Sequence, residues 1–256
     1  MLDASVIRDG RSILGPITWS VSAGERWVVL GPNGAGKSTL FALAGSLIHP
    51  SKGEISILDC RMGSTDVFEL RPRIGITSSA IVEMIPPEER VLDLVMTSAY
   101  AIAGRWLESY DLWDESRALS LLIALGVREL KDRAFGTLSE GEKKRALIAR
   151  ALMPNPEILL LDEPAAGLDL GGREDLLRRL NALAKDPKSP STIIITHHVE
   201  EIPKGTTHCL LLSEGKIVAQ GELLNVLTSE NLSAAYKIEV EVQEEHGRFF
   251  ARSIER

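Results

Sequence analysis

Cysteine is scarce in this chain: Cys60 and Cys209 are the only two among 256 residues, far apart and in no CxxC pair. This excludes a disulfide framework or a thiolate metal cluster and predicts two free, buried thiols in a reducing compartment. Long apolar runs are also missing. The most apolar stretches, residues 91–103 and 119–127, are far short of the roughly 20 residues that cross a bilayer. Met1-Leu2-Asp3-Ala4 lacks the charged-then-apolar opening of a secretory peptide. Excess positive charge is absent too. A net charge of −7 argues against general affinity for nucleic acid or anionic lipid, while leaving room for a small basic pocket for phosphates. The hydrophobic fraction of 44% and charged fraction of 25% are those of a globular protein with a sizeable core, in one large domain or two small ones.

Four apolar runs, residues 27–30, 158–161, 192–195 and 209–212, read as strands buried on both faces. Unbroken runs of this kind, as opposed to alternating ones, predict an α/β fold with a mostly parallel sheet covered by helices. Ligands of such sheets sit beyond the carboxyl ends of the strands. Two of the runs end in unusual sequence there: 27–30 enters a glycine-rich turn, and 158–161 enters Asp162-Glu163-Pro164. Between about 81 and 152 the spacing turns helical (91–103, 116–125, 140–152), which predicts a helical subdomain inserted into the α/β core. Residues 54–58 and 216–219, beside glycines, predict peripheral antiparallel strands, and 185–191, with Pro187 and Pro190, a surface loop. Beyond 224 a short helical stretch precedes the alternating Ile238-Glu239-Val240-Glu241-Val242, either an edge strand or a solvated tail.

Gly31-Pro32-Asn33-Gly34-Ala35-Gly36-Lys37-Ser38-Thr39 matches the phosphate-loop pattern GxxxxGK[ST]. Glycines let the backbone wrap a polyphosphate, so that amides point inward at the start of a helix whose dipole favours anions. Lys37 would reach the outer phosphates and the Ser38 hydroxyl would bind Mg²⁺. Asp162 is the matching acidic group for Mg²⁺, and Glu163 is placed one residue on to orient or deprotonate the attacking water. The pair implies hydrolysis of a nucleoside triphosphate.

Leu138-Ser139-Glu140-Gly141-Glu142 resembles the signature motif of ATP-binding-cassette ATPases, usually Leu-Ser-Gly-Gly-Gln. The resemblance continues in order through Lys144-Arg145-Ala146, Ala149-Arg150-Ala151-Leu152, Leu161-Asp162-Glu163-Pro164, Gly167-Leu168-Asp169 and Thr196-His197. It implies a phosphate-loop NTPase core of about 1–80 and 153–225 with a mostly parallel sheet. A small antiparallel β subdomain and a helical subdomain of about 81–152 complete one cassette over 1–225, followed by an extension at 226–256. It further implies two subunits packed head to tail, with Ser139 and Gly141 of each closing over ATP held by the other. Asp169 resembles the residue linking the two sites, and His197 the switch histidine that contacts the γ-phosphate, with His198 beside it as the other candidate.

Three departures from the family pattern stand out. Ser79 occupies the position of a glutamine that touches Mg²⁺ and the attacking water; a serine reaches as far only through a bridging water. Arg8 falls where an aromatic residue stacks on adenine: either its guanidinium stacks instead, or it is a solvated surface charge. Glu140 and Glu142 replace glycine and glutamine, and carboxylates near a triphosphate repel it unless they point away.

The family implies a cytoplasmic ATPase, peripheral on the inner face of the cell membrane, with ATP and Mg²⁺ as ligands. Its partners would be a second copy or a paralogous cassette and a separate transmembrane permease subunit, with no nucleic acid. Val91, Leu94, Met96, Tyr100 and Trp106 are candidates for docking on that subunit, or else core residues. Two other readings stand beside this one: an ATPase serving a non-transport cytoplasmic partner, and a nucleotide-regulated binding module with little turnover.

Overall fold

The computed structural model describes residues 1–64, 66–98 and 112–254, which divide into two compact units. One comprises Met1–Val67 with Ser191–Arg256, the other Phe68–Pro190.

In the first unit, Arg26–Leu30 is a central strand whose last four residues are buried. It runs parallel to His208–Ser213 on one side (His208↔Trp27 through Leu211↔Leu30) and to Ser191–Ile195 on the other (Arg26↔Thr192 through Val29↔Ile195). Burial on both faces is the reason Trp27, Val28, Val29 and Leu30 are all apolar. Lys216–Glu222 adds the antiparallel edge to His208–Ser213. A separate antiparallel sheet forms from Leu2–Arg8, Arg11–Ile17 and Lys52–Glu54. The single strand expected at 54–58 is instead two short pieces, Lys52–Glu54 and Ser56–Ile57, the latter pairing with Cys60–Arg61. The tail is ordered: helix Ser229–Tyr236 leads into a hairpin of Val240–Glu245 and Arg248–Ser253. Val240 and Phe249 join the core around Val28, Leu30 and Leu211, so the solvated-tail alternative falls.

In the second unit, Ile74–Thr77 and Ile158–Asp162 pair in parallel, Ile74↔Ile158 through Thr77↔Leu161. Between them in sequence lie the helices Val91–Thr97, Leu112–Ala124 and Glu140–Leu152, which pack on one another. Arg117 donates to the carbonyls of Met153 (2.8 Å) and Leu152 (3.1 Å), satisfying acceptors that a helix end leaves open. Helix Leu170–Leu183 follows Ile158–Asp162.

Val91, Leu94 and Met96 are all buried, because helix Val91–Thr97 is covered all round, so of the two readings the core one holds for them. Tyr100 and Trp106 lie outside the described residues. One expectation needs correction: of the two cysteines only Cys209 is buried, which pushes its thiol pKa up, whereas Cys60 is half-buried, in a two-residue strand of a small hairpin.

Candidate functional site

The glycine-rich loop begins where strand Arg26–Leu30 ends, and the helix Lys37–Ala44 closes it. Gly31 has no substitute: a Cβ there would stand 2.2 Å from the Leu212 carbonyl oxygen of the adjacent strand end. Gly36, at the helix N-cap, has φ +97°, a left-handed value that side-chain-bearing residues avoid. Pro32 is half-buried, Asn33 and Gly34 are exposed at the loop tip, and Ala35 is buried below them. Ser38 is exposed and Thr39 half-buried on the first helical turn. Lys37 is buried, its ammonium donating to the carbonyls of Gly31 (2.7 Å) and Pro32 (3.0 Å). A buried cation, the amides of a helix's first turn and a loop opened by glycine together form a donor-rich cradle that fits an anion of several oxygens.

His197 reaches the same end of the sheet. Strand Ser191–Ile195 is in register with Arg26–Leu30, Val29↔Ile195, and the Thr196 amide donates to the Val29 carbonyl at 3.1 Å. The phosphate loop and His197 therefore leave adjacent strand ends, as expected for ligand-binding segments of such a sheet. His197 is half-buried and His198 exposed, their rings 4.0 Å apart between centroids. Thr196 is wholly buried and hydrogen-bonds the buried Glu201 side chain, closing the turn that follows. Arg8 is exposed at the end of its strand, opposite Arg11, with a charge that faces solvent.

In the second unit the parallel pair likewise brings two candidate segments to one end. Ser79 follows Ile74–Thr77 and is exposed on the first turn of helix Ser79–Met84. Asp162 closes the neighbouring strand, and Glu163 follows with φ +45°, a left-handed conformation uncommon for a residue with a side chain. Such outliers cluster at functional sites. Lys144 donates to the Glu163 carbonyl (3.0 Å) and also to that of Ala166, tying the helix Glu140–Leu152 to the segment that carries Glu163. Asp169 caps the next helix, Oδ1 accepting from the Gly172 amide at 2.7 Å.

Ser139 caps helix Glu140–Leu152 in a reciprocal box. Its amide donates to Glu142 Oε2 at 2.7 Å and its hydroxyl to the same oxygen at 2.9 Å. The Ser139 amide, chiefly, holds the Glu142 carboxyl below its ordinary pKa. Glu142 thus turns back onto the serine, while Glu140 pairs with Lys143 at 2.9 Å. Gly141 lies beside Leu168, which a Cβ would approach to 3.5 Å.

Sequence reasoning assigned no role to Arg145. It donates to the Gly141 carbonyl (3.2 Å) and to Asp175 Oδ2 (2.7 Å), while Arg178 and Arg179 bind the same carboxylate. Burial by itself would raise the Asp175 pKa, but the hydrogen bonds from the arginines outweigh it and hold the carboxyl at about 2. A carboxyl whose folded pKa lies below its unfolded value of about 4 stabilises the fold above that pH and stops doing so as pH falls through the folded value. Partly exposed ion pairs contribute up to about 1 kcal/mol. Asp175→Asn should therefore lower Tm at pH 7 by about 2–4 °C. Thermal scans of both proteins across pH should show that difference closing between about pH 4 and pH 2.

Comparison with known proteins supplies the family. A family model described as ABC transporter matches residues 14–166. The chain is 40% identical over 241 residues to the ABC transporter ATP-binding protein YlmA of Bacillus subtilis, covering 94% of this chain and 91% of the relative. It is 31% identical over 232 residues to the hemin import ATP-binding protein HmuV of Thermobifida fusca, 91% of this chain and 79% of the relative. Among solved structures, cbiO1 of Clostridium perfringens, part of the ABC transporter complex cbiONQ, superposes with a TM-score of 0.77 at 28% identity over 91% of each chain.

Proposed function

We propose, from the premise that this chain belongs to the ABC transporter family and is one of its ATPases, that it powers a membrane transporter through a dimer that closes on ATP. One observation carries the nucleotide reading: the buried Lys37 ammonium in a glycine-opened loop at a helix start, directly after a buried strand. Backbone amides of 33–39 bind the phosphates, and Lys37 exchanges its carbonyl partners for phosphate oxygens. Ser38 and Asp162 are the hydroxyl and carboxylate suited to Mg²⁺, a hard cation that takes oxygen ligands. When bound, the ion neutralises phosphate charge.

Glu163 orients and deprotonates the attacking water, from a left-handed backbone whose carbonyl accepts from Lys144. His197 donates to the γ-phosphate. Ser139 and Gly141 present hydroxyl and amide groups at a helix start to the ATP of the other subunit, and Asp169 lies in the turn that links the two sites. Ser79 acts on Mg²⁺ through water. Arg8, solvent-facing and without an aromatic face, is an auxiliary contact to the base.

No helix among the described residues is long and apolar enough to cross a membrane, so the transport path is assigned to a separate transmembrane partner. Exposed Phe68, Met84, Leu112 and Trp113 of the second unit offer apolar surface for it in place of the buried candidates. The protein then works at the inner face of the membrane, as a homodimer or with a paralogous cassette. The net charge of −7 disfavours nucleic acid as partner. The purified chain should retain ATP only with Mg²⁺ and release phosphate, and tagged chain should bring down an integral membrane protein from detergent extracts. Retention without turnover would indicate a nucleotide-regulated binding module; turnover with a non-membrane partner would indicate a non-transport ATPase.

A further inference from the structure

The tail meets the catalytic end of the first unit at one side chain. Tyr236, the last residue of helix Ser229–Tyr236, donates its hydroxyl to the His197 carbonyl at 3.0 Å, across 39 residues of sequence. Gly31, the first residue of the phosphate loop, has its amide close enough to this hydroxyl to pull the phenol pKa down. Burial pushes its pKa up to about 12, against the pull of the Gly31 amide, so it stays a donor throughout the physiological range.

The helix that carries this ring is anchored on both sides. Ser213 Oγ donates to the Ala235 carbonyl at 2.8 Å, and Lys237 pairs with Glu214 just beyond the same strand. Leu232 and Ala235 are packed with Val28, Leu30 and Val199. The hairpin behind it grips the turn after His197: Arg248 donates to the Glu200 carbonyl at 2.7 Å, and the Ala251 amide to Glu200 Oε1 at 3.4 Å. A cavity of about 220 Å³ between turn and tail is lined by His197, His198, Tyr236, Ile238 and Arg252. With open space on that side of the turn, the tyrosine bond is a fixed point for the His197 backbone.

We propose that Tyr236 is a positioning residue for hydrolysis, its hydroxyl holding the backbone of His197 through the bond to that residue's carbonyl. This rests on the reading of the chain as an ATPase that uses His197. Of the tail, the Tyr236 hydroxyl alone then serves hydrolysis, and it contributes no group to the nucleotide itself. Small misplacements of a catalytic group lower the rate far more than they weaken binding.

Tyr236→Phe keeps the ring and removes only the hydroxyl. Steady-state ATPase assays on the full-length chain should show kcat lowered about five- to tenfold, KM for ATP within about twofold, and Tm within about 2 °C. Phe249→Leu loosens the packing of the same tail and leaves the Tyr236 hydroxyl in place, and should lower Tm while leaving kcat within about twofold. Wild-type kcat in Tyr236→Phe, whatever happens to KM, would overturn the proposal. So would a kcat that falls in Phe249→Leu as it does in Tyr236→Phe, because the rate would then follow tail stability and not the hydroxyl. A wild-type chain with no Mg²⁺-dependent turnover is a different result: it fails the ATPase reading itself, and this proposal with it.

Discussion

Lys37→Ala is expected to abolish Mg²⁺-dependent retention of ATP and to lower turnover at least about a hundredfold. The ammonium sits buried between two carbonyls of its own loop, so the cost of taking this charge out of water is already met in the folded chain. Hydrogen bonds to a charged group contribute about 1.5–3 kcal/mol each. Two such bonds to phosphate, at about 1.4 kcal/mol per factor of ten, account for a loss of two orders of magnitude or more. Truncation also leaves the Gly31 and Pro32 carbonyls without these donors, at about 1–3 kcal/mol. A filter-retention assay with labelled ATP, read beside a thermal scan, separates the two effects. A folded Lys37→Ala protein that holds ATP like wild type would remove the phosphate-loop reading.

Glu163→Gln has the opposite signature: nucleotide is kept and the chemistry stops. The substitution preserves size and hydrogen bonding while removing the base, and general-base catalysis is worth about 10²–10⁴-fold in rate. Turnover should fall within that range while ATP is retained. In the proposed dimer the other subunit's Ser139 and Gly141 complete each site, so the variant should accumulate as an ATP-bound dimer on size-exclusion chromatography with Mg²⁺. A monomeric, ATP-loaded Glu163→Gln protein would contradict the head-to-tail arrangement. The amide leaves the backbone contact undisturbed, since Lys144 donates to the main-chain oxygen of Glu163.

The substituted signature gains a physical explanation from the structure. Glu142 at the third helical position completes a capping box with Ser139, a role that glutamate fills as well as glutamine. Its carboxylate is engaged by the Ser139 amide and hydroxyl, and Glu140 is engaged by Lys143. Neither charge is left to stand alone in front of a phosphate. In the proposed role the serine hydroxyl turns from Glu142 to ATP.

What the sequence determined alone was whatever local chemistry demands. Val28–Leu30 and Leu159–Leu161 must be buried on both faces, so they announce central strands, and the glycine-lysine turn after the first admits few other uses. Ser139, Glu142 and the helix after them are legible for the same reason, since a cap and its partner lie three residues apart. Contacts between distant residues decided the rest. The N-terminal hairpin, with an irregular register and only part of each strand buried, has no clean alternation to read. The acidic, alternating start of the tail could as well be solvated, and only Phe249 and Val240 meeting the core make it a hairpin with a place. Arg145 with Asp175 is 30 residues apart and Tyr236 with His197 is 39, so neither pair leaves a local pattern. Periodicity and spacing report which face of an element is dry, whereas the fold chooses which two elements meet.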